Sequence, residues 1–323
     1  MMRNVIDDHG GLHDRVTHEM ALHPFTLAEC AEYFKANDFL WERLSILQTY
    51  MALGGIPYYL SLISRDESPA MAIDRLFFSE NGELQREYRR FFASLFRNPS
   101  PYTDIISLLA KHPKGLRRDE IAKALNMESN GRLSNMLLDL VYCDFIRKYN
   151  IRDRMVKENN GLYQLIDFYT FFYNTFVSKA TMEEHYWTRH LGTSEVNTWN
   201  GLAYERVCKA HIPQIKRALG FESVATEFYS WRSKTLADGA QVDIIIDRAD
   251  NMINLCEVKY SEHEYMLDKD EFLKIQNRVE AFRRETGTHS TILPTLITTF
   301  GLRKGMYEHQ IAAKVTMDDL FIN

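Results

Sequence analysis

Three residues in the C-terminal third have the types and spacing for phosphate chemistry: Asp243, Glu257 and Lys259. They lie in Gln241-Val-Asp-Ile-Ile-Ile-Asp247 and Ile253-Asn-Leu-Cys-Glu-Val-Lys-Tyr260, two alternating runs rich in Ile, Val and Leu, as half-buried strands are. Ala249-Asp250-Asn251 between them is a three-residue hairpin loop. That loop sets the register, and the register puts Asp243 across from Glu257 on one face of the sheet, with Lys259 two residues further along the same face. A slip of one residue would separate them. Two carboxylates side by side repel unless a cation lies between them, and magnesium or manganese suits oxygen donors of this kind. A lysine beside such an ion can hold or deprotonate a water, or offset charge developing on a phosphate. This is the chemistry of metal-dependent phosphodiester cleavage.

The elements that must position these residues follow a recognisable order. A helix over Gly201-Leu-Ala-Tyr-Glu205-Arg-Val-Cys-Lys-Ala-His-Ile212 precedes the strands, and Asp270–Arg284 forms a second helix with apolar Phe272, Leu273, Ile275, Val279 and Phe282. The strand Thr295-Leu-Ile-Thr-Thr-Phe300 comes next, followed by a last helix. This segment resembles the PD-(D/E)xK nuclease superfamily, in which an acidic residue on one strand is followed by Glu-x-Lys on the next. The resemblance implies a restriction-endonuclease-like mixed sheet flanked by helices. It makes Asp243 and Glu257 metal ligands, Lys259 the group that orients water or stabilises charge, and Glu205 an outer metal-site acid. Gln241-Val242 stands where the family's proline precedes the aspartate. Gln276 is a further candidate for ordering a metal-bound water. A Glu-x-Lys pair alone is commonly just a surface ion pair; the order of helix glutamate, aspartate, hairpin and Glu-x-Lys carries the assignment.

The N-terminal part resembles a different family. His23-Pro-Phe-Thr-Leu-Ala-Glu29 and Gly54-Gly-Ile-Pro-Tyr-Tyr-Leu60 are similar to segments at the lid end of archaeal-type AAA ATPases. No Gly-Lys dipeptide occurs in the chain, so it contains no Gly-x-x-x-x-Gly-Lys-Ser/Thr loop to cradle phosphates, and no ATP site or ATP hydrolysis is expected. The resemblance implies the C-terminal part of such an ATPase, either a naturally short gene product or a fragment.

Between these parts, residues 100–165 read as a winged helix: helices over Tyr102–Ala110, Gly115–Leu125 and Arg132–Tyr142, then wing strands Phe145–Tyr149 and Leu162–Leu165 around a charged loop, Arg152 to Asn160. From Lys111 to Lys157 there are eleven basic residues against six acidic ones, in a chain whose net charge is −5. Local basic charge is the footprint of phosphate contact, and Arg132, Arg147, Lys148 and Arg152 are the candidate DNA-binding residues. Tyr163-Gln-Leu-Ile-Asp-Phe-Tyr-Thr-Phe-Phe172 resembles the family's link to a C-terminal nuclease-like domain, and its helical aromatic spacing indicates packing rather than a stacking surface.

The expected organisation is therefore α/β overall, in three domains: a helical lid-like segment over 1–95, a winged helix with aromatic linker over 96–180, and a nuclease-like domain over 181–323. Hydrophobic content of 45% and charged content of 26% are those of a soluble globular protein. No run approaches eighteen apolar residues and no signal peptide opens the chain, so a membrane location is not expected and the cytoplasm is. Cys30, Cys143, Cys208 and Cys256 are scattered without zinc-ligand spacing. Two functions remain open: a DNA-associated, magnesium- or manganese-dependent endonuclease, and a non-catalytic DNA-binding or assembly module. The partner is DNA in the first case, and a second copy or an ATPase subunit stays open in the second.

Overall fold

Thr26 opens the first helix, α1 (Leu27–Ala36), with a reciprocal cap in which Glu29 accepts from the Thr26 N–H at 2.7 Å and the Thr26 hydroxyl accepts from the Glu29 N–H at 3.2 Å. α2 (Arg43–Leu53) stops where Gly54 takes a φ of 68°. At Gly55 a β-carbon would stand 2.0 Å from the Phe25 carbonyl oxygen, and the Phe25 N–H donates to the Gly55 carbonyl at 2.8 Å. The Pro-Phe-Thr and Gly-Gly-Ile-Pro segments are thus the two sides of one junction that only glycine fits. α3 (Pro57–Ser61), α4 (Pro69–Ile73) with its π-helical extension Asp74–Phe78, and α5 (Glu83–Leu95) follow. The computed structural model describes His18, Met20 and residues 22–149, 161–180, 183–233 and 241–322, apart from the side chain of Asp243.

Next come α6 (Ser100–Lys111), α7 (Arg118–Ala124), α8 (Gly131–Tyr142) and a hairpin of β1 (Ile146–Tyr149) with β2 (Leu162–Leu165). The middle helix begins three residues later than expected. Gly115 adopts φ 81°, and Leu116 and Tyr163 exchange backbone hydrogen bonds of 3.0 and 2.8 Å, so this stretch lies along the hairpin as a short third edge. The charged loop from Arg152 to Asn160 falls outside the described residues.

The aromatic run packs as expected. Asp167 caps α9 (Phe168–Phe172), which continues as a π-helical turn through Val177, and Phe168, Tyr169, Phe171, Phe172 and Phe176 are all buried. Phe172 meets Trp187 and Trp199 edge-on with ring centroids 5.0 and 5.3 Å apart.

α10 (Tyr186–His190), α11 (Ser194–Ala210) and α12 (Ile212–Ala218) lead into a five-stranded sheet, in the order β3 (Thr226–Arg232), β4 (Gln241–Arg248), β5 (Met252–Lys259), β6 (Thr291–Thr298), β7 (Ala313–Thr316). β3, β4 and β5 are antiparallel neighbours, whereas β5, β6 and β7 run parallel. The parallel step from β5 to β6 needs a crossover, and α13 (Lys269–Thr286) supplies it. The helix expected after β6 is instead strand β7 and a 3₁₀ turn over Met317–Phe321.

Alternation divides the sheet into two faces. Ile244, Ile246, Cys256 and Ile297 share a core with Val207 and Cys208 of α11, and that core continues into the N-terminal helices. Ile245, Ile253 and Leu255 face the other way, against Ala281 and Phe282 of α13. Mixed α/β architecture, with a helical N-terminal part and a mixed sheet flanked by helices, is what the pattern of the sequence implied. Among the described residues, no helix is long and apolar enough to cross a membrane.

Candidate functional site

The hairpin that carries the candidate residues has the expected loop. β4 ends at Arg248 and β5 begins at Met252; Asn251 takes φ 62° at the turn's last position, and Arg248 donates to Asp250 at 3.0 Å. Ile244 pairs with Cys256, Ile245 with Leu255, Ile246 with Asn254 and Asp247 with Ile253. The paired register ends there, and Asp243 and Glu257 are the next residues on the two strands. On the other side of β4 the ladder to β3 shifts by one residue between Tyr229 and Trp231. As a result Val242, three residues from Ile245, joins it in the same core instead of alternating away. Asp243 sits in this irregular stretch, and its side chain lies outside the described residues.

Glu257 and Lys259 are brought together. The Lys259 Nζ stands 3.1 Å from Glu257 Oε1, and both side chains are part-buried at the end of β5. The crossover helix completes the arrangement with two residues the sequence reading missed. Arg278 Nη1 donates to Glu257 Oε2 at 2.5 Å, and Glu271 Oε2 lies 2.9 Å from Lys259 Nζ. Lys274 adds a third cation, 3.2 Å from Glu271 Oε1. Glu271 and Arg278 are seven residues apart on α13, hence on one helix face, and span about 10 Å. Glu257 and Lys259 span about 7 Å of strand. Helix and strand thus present opposite charges to each other pairwise, with the helix running back along the strand. The signal in the sequence was there: Glu271, Ile275, Arg278 and Phe282 form one stripe, and its charged members must face whatever Ile275 and Phe282 cover.

These contacts set the protonation of the lysine. Burial alone would lower the Lys259 ammonium, but the Glu257 charge and the Glu271 hydrogen bond outweigh it and hold the group above the ordinary lysine value. Lys259 is therefore a cation at neutral pH, suited to orienting a water or offsetting phosphate charge rather than taking a proton. Glu271 is held below the usual glutamate range: its burial acts in the opposite sense but is outweighed by Lys259 and Lys274.

Glu205 is carried by α11. α11 turns Tyr204 and Cys208 toward the sheet, with the Tyr204 hydroxyl donating to the Thr298 carbonyl at 3.0 Å. Its neighbours Arg206 and Lys209 reach the β1–β2 hairpin, donating to the Leu165 carbonyl at 3.1 Å and to Gln164 Oε1 at 3.1 Å. Glu205 accepts from Lys209 at 2.6 Å, and among the described contacts none joins it to Glu257 or Lys259. Gln276 is exposed on α13, off the stripe that faces the sheet. Among the described residues, no three His, Cys, Asp or Glu side chains are grouped so as to hold a metal ion.

Three of the four candidate DNA contacts are among the described residues, Arg132 on α8 and Arg147 and Lys148 on β1. Arg147 and Lys148 are consecutive on β1 and point to opposite faces of the hairpin. Arg147 lines a cavity of about 310 Å³ together with Tyr50, Asp167, Lys209 and His211, while Lys148 stands 6.0 Å from the centroid of the Tyr163 ring. Arg132 is exposed in the first turn of α8, and Arg152 is outside the described residues. The outward face of α8 beyond Arg132 carries Asn135, Leu138 and Tyr142, the last two exposed apolar groups. Comparison with protein-family profiles, with characterised proteins and with solved structures found no match to this chain.

Proposed function

We propose that the end of the β4–β5 hairpin is a metal-dependent phosphodiesterase site of the PD-(D/E)xK kind, acting on DNA. The observation that carries this reading is the Glu257–Lys259 pair, held part-buried at a strand end by α13, with Asp243 one residue beyond the last paired position of the neighbouring strand. The succession of α11, three antiparallel strands, crossover helix and parallel strand supports it, because it is the order the resemblance implies.

The donor chemistry fits a hard divalent cation, because Asp243 and Glu257 are both carboxylates, the hard oxygen donors such an ion takes. Magnesium or manganese held there would supply Lewis-acid stabilisation to a phosphate and a reactive water. Lys259 keeps its proton and, from beside Glu257, orients a water and offsets the charge that develops on the phosphate oxygens. Glu271 holds the Lys259 ammonium in place.

A second reading draws on α8. Leu138 and Tyr142 on its outer face are better suited to a protein partner than to phosphate, which supports an assembly role for the helix–hairpin part. In that role the region resembling an ATPase's lid and winged helix contacts protein, and DNA is bound elsewhere or not at all.

The two readings part in a cleavage assay. Plasmid and single-stranded DNA are incubated with the parent chain and with Asp243→Asn, Glu257→Gln and Lys259→Ala, in magnesium, manganese or EDTA. The nuclease reading expects metal-dependent nicking that drops at least a hundredfold in each variant. Activity that survives all three substitutions rules out this site, and no cleavage by the parent leaves the assembly reading ahead.

A further inference from the structure

We infer that Arg278 is the resident counter-cation of Glu257, which must leave that carboxylate before a divalent metal is held there, so that this arginine tunes the metal affinity of the site. The inference rests on the nuclease reading and adds a control element to it. Both oxygens of Glu257 are already taken, Oε1 by Lys259 at 3.1 Å and Oε2 by Arg278 at 2.5 Å. A doubly charged ion arriving beside them would put three cationic centres around one carboxylate, and like charges at that separation exclude one another. One of the two resident cations has to move.

The contacts indicate which. Lys259 is pinned from two sides, by Glu257 and by Glu271 at 2.9 Å, so moving it would break two ion pairs. Among the described residues the ion pair of Arg278 is with Glu257 alone, and its side chain, about a quarter exposed, comes from the partly open side of α13. A guanidinium on a flexible stem can swing outward while its helix stays anchored by Ile275 and Phe282, which are buried. Once free, its planar fork matches two phosphate oxygens, a geometry no lysine reproduces. Arg278 would then trade a carboxylate for the substrate's phosphate, coupling metal entry to DNA engagement.

The test measures manganese binding directly, by electron paramagnetic resonance of free Mn²⁺ and by calorimetry, on the parent and on Arg278→Gln, Arg278→Lys and Glu257→Gln, with circular dichroism to check the fold of each. Removing the competing charge is expected to tighten Mn²⁺ on the order of tenfold in Arg278→Gln, the effect of one nearby unit charge. Arg278→Lys keeps the charge and should stay within about threefold of the parent, while Glu257→Gln should lose binding. Manganese affinity in Arg278→Gln equal to or weaker than the parent's overturns the inference while leaving the nuclease site standing, provided Glu257→Gln still abolishes binding. An Arg278→Lys variant as tight as Arg278→Gln would also overturn it, since shape and not charge would be responsible. If neither the parent nor Arg278→Gln binds Mn²⁺, the metal site and the inference fall together.

Discussion

At the scale of single residues, the most informative pair outside the hairpin is Glu205 with Lys209. The Lys209 side chain is 4% exposed, and its ammonium is held by Glu205 at 2.6 Å and Gln164 at 3.1 Å, with the Tyr149 ring 5.6 Å away. A buried ammonium deprived of its carboxylate keeps the cost of leaving water without the Coulombic return. Glu205→Gln is therefore expected to lower stability by about 2 kcal/mol, and Lys209→Met in the same chain to restore much of that loss. Chemical denaturation of the two single variants and the double variant measures the coupling. Manganese affinity unchanged in Glu205→Gln would make Glu205 a structural acid. A clear loss of affinity would return it to the metal site.

At the scale of elements, α1 and α11 are joined by one imidazole. The Leu27 N–H, an orphan donor at the start of α1, donates to His211 Nε2 at 3.0 Å, while His211 Nδ1–H donates to the Val207 carbonyl at 2.8 Å. That pattern requires a neutral ring. Burial, only partly offset by the Val207 hydrogen bond, lowers the His211 pKa from 6.5 to about 4. The folded chain thus binds fewer protons than the unfolded one between these values. Stability present above pH 6.5 is lost as the pH falls toward 4, about 3 kcal/mol in all. Denaturation midpoints of the parent should fall through that window, and His211→Asn should flatten the pH dependence there while costing stability at pH 7. Parallel pH profiles for parent and variant would remove His211 from this role. A second tie works the same way: the buried Asp74 carboxylate accepts from the Trp187 and Thr188 N–H groups at 2.7 and 3.0 Å, so the π-helical extension of α4 holds the start of α10.

For the whole molecule, one described core cluster draws on residues from the start, the middle and the end of the chain. Leu27 and Phe34 of α1, Phe172 of the aromatic run, and Ile244 and Cys256 of the sheet belong to one continuous cluster. Arg43 of α2 is tied to Asp318 at 2.8 Å, near the other end of the chain. α11 covers one face of the sheet, with the N-terminal helices packed beyond it, and α13 covers the other. The placement of the basic residues bears on DNA. Arg132 and Lys148 are exposed at the surface, whereas Arg147, also exposed, lines the cavity beside Lys209 and His211 on the opposite face of the hairpin. If duplex DNA binds here, Arg132→Ala and Lys148→Ala should each flatten the log–log salt dependence of binding by about one. Arg147→Ala should leave it nearly unchanged. Equal slopes in all three variants and the parent would assign the helix–hairpin part to protein contact.

Local pattern made much of this legible. The period-two runs and the three-residue Ala249–Asn251 loop act through neighbours in sequence, so the β4–β5 register over Ile244–Asp247 could be read directly. The aromatic spacing of 168–176 likewise announced a core. What tertiary structure decided were the partners across distance. Arg278 and Glu271 meet Glu257 and Lys259 only because a crossover helix lays its stripe back along β5, and a two-residue step on a strand says nothing about which helix will cover it. Gly115–Arg117 became a hairpin edge because Tyr163, nearly fifty residues away, offered its backbone groups. Glu205 turned to Lys209 because α11 packs between sheet and hairpin. Periodicity assigns a residue to a face; the charges that face will meet depend on packing between elements far apart in the chain, and local preference carries no information about that.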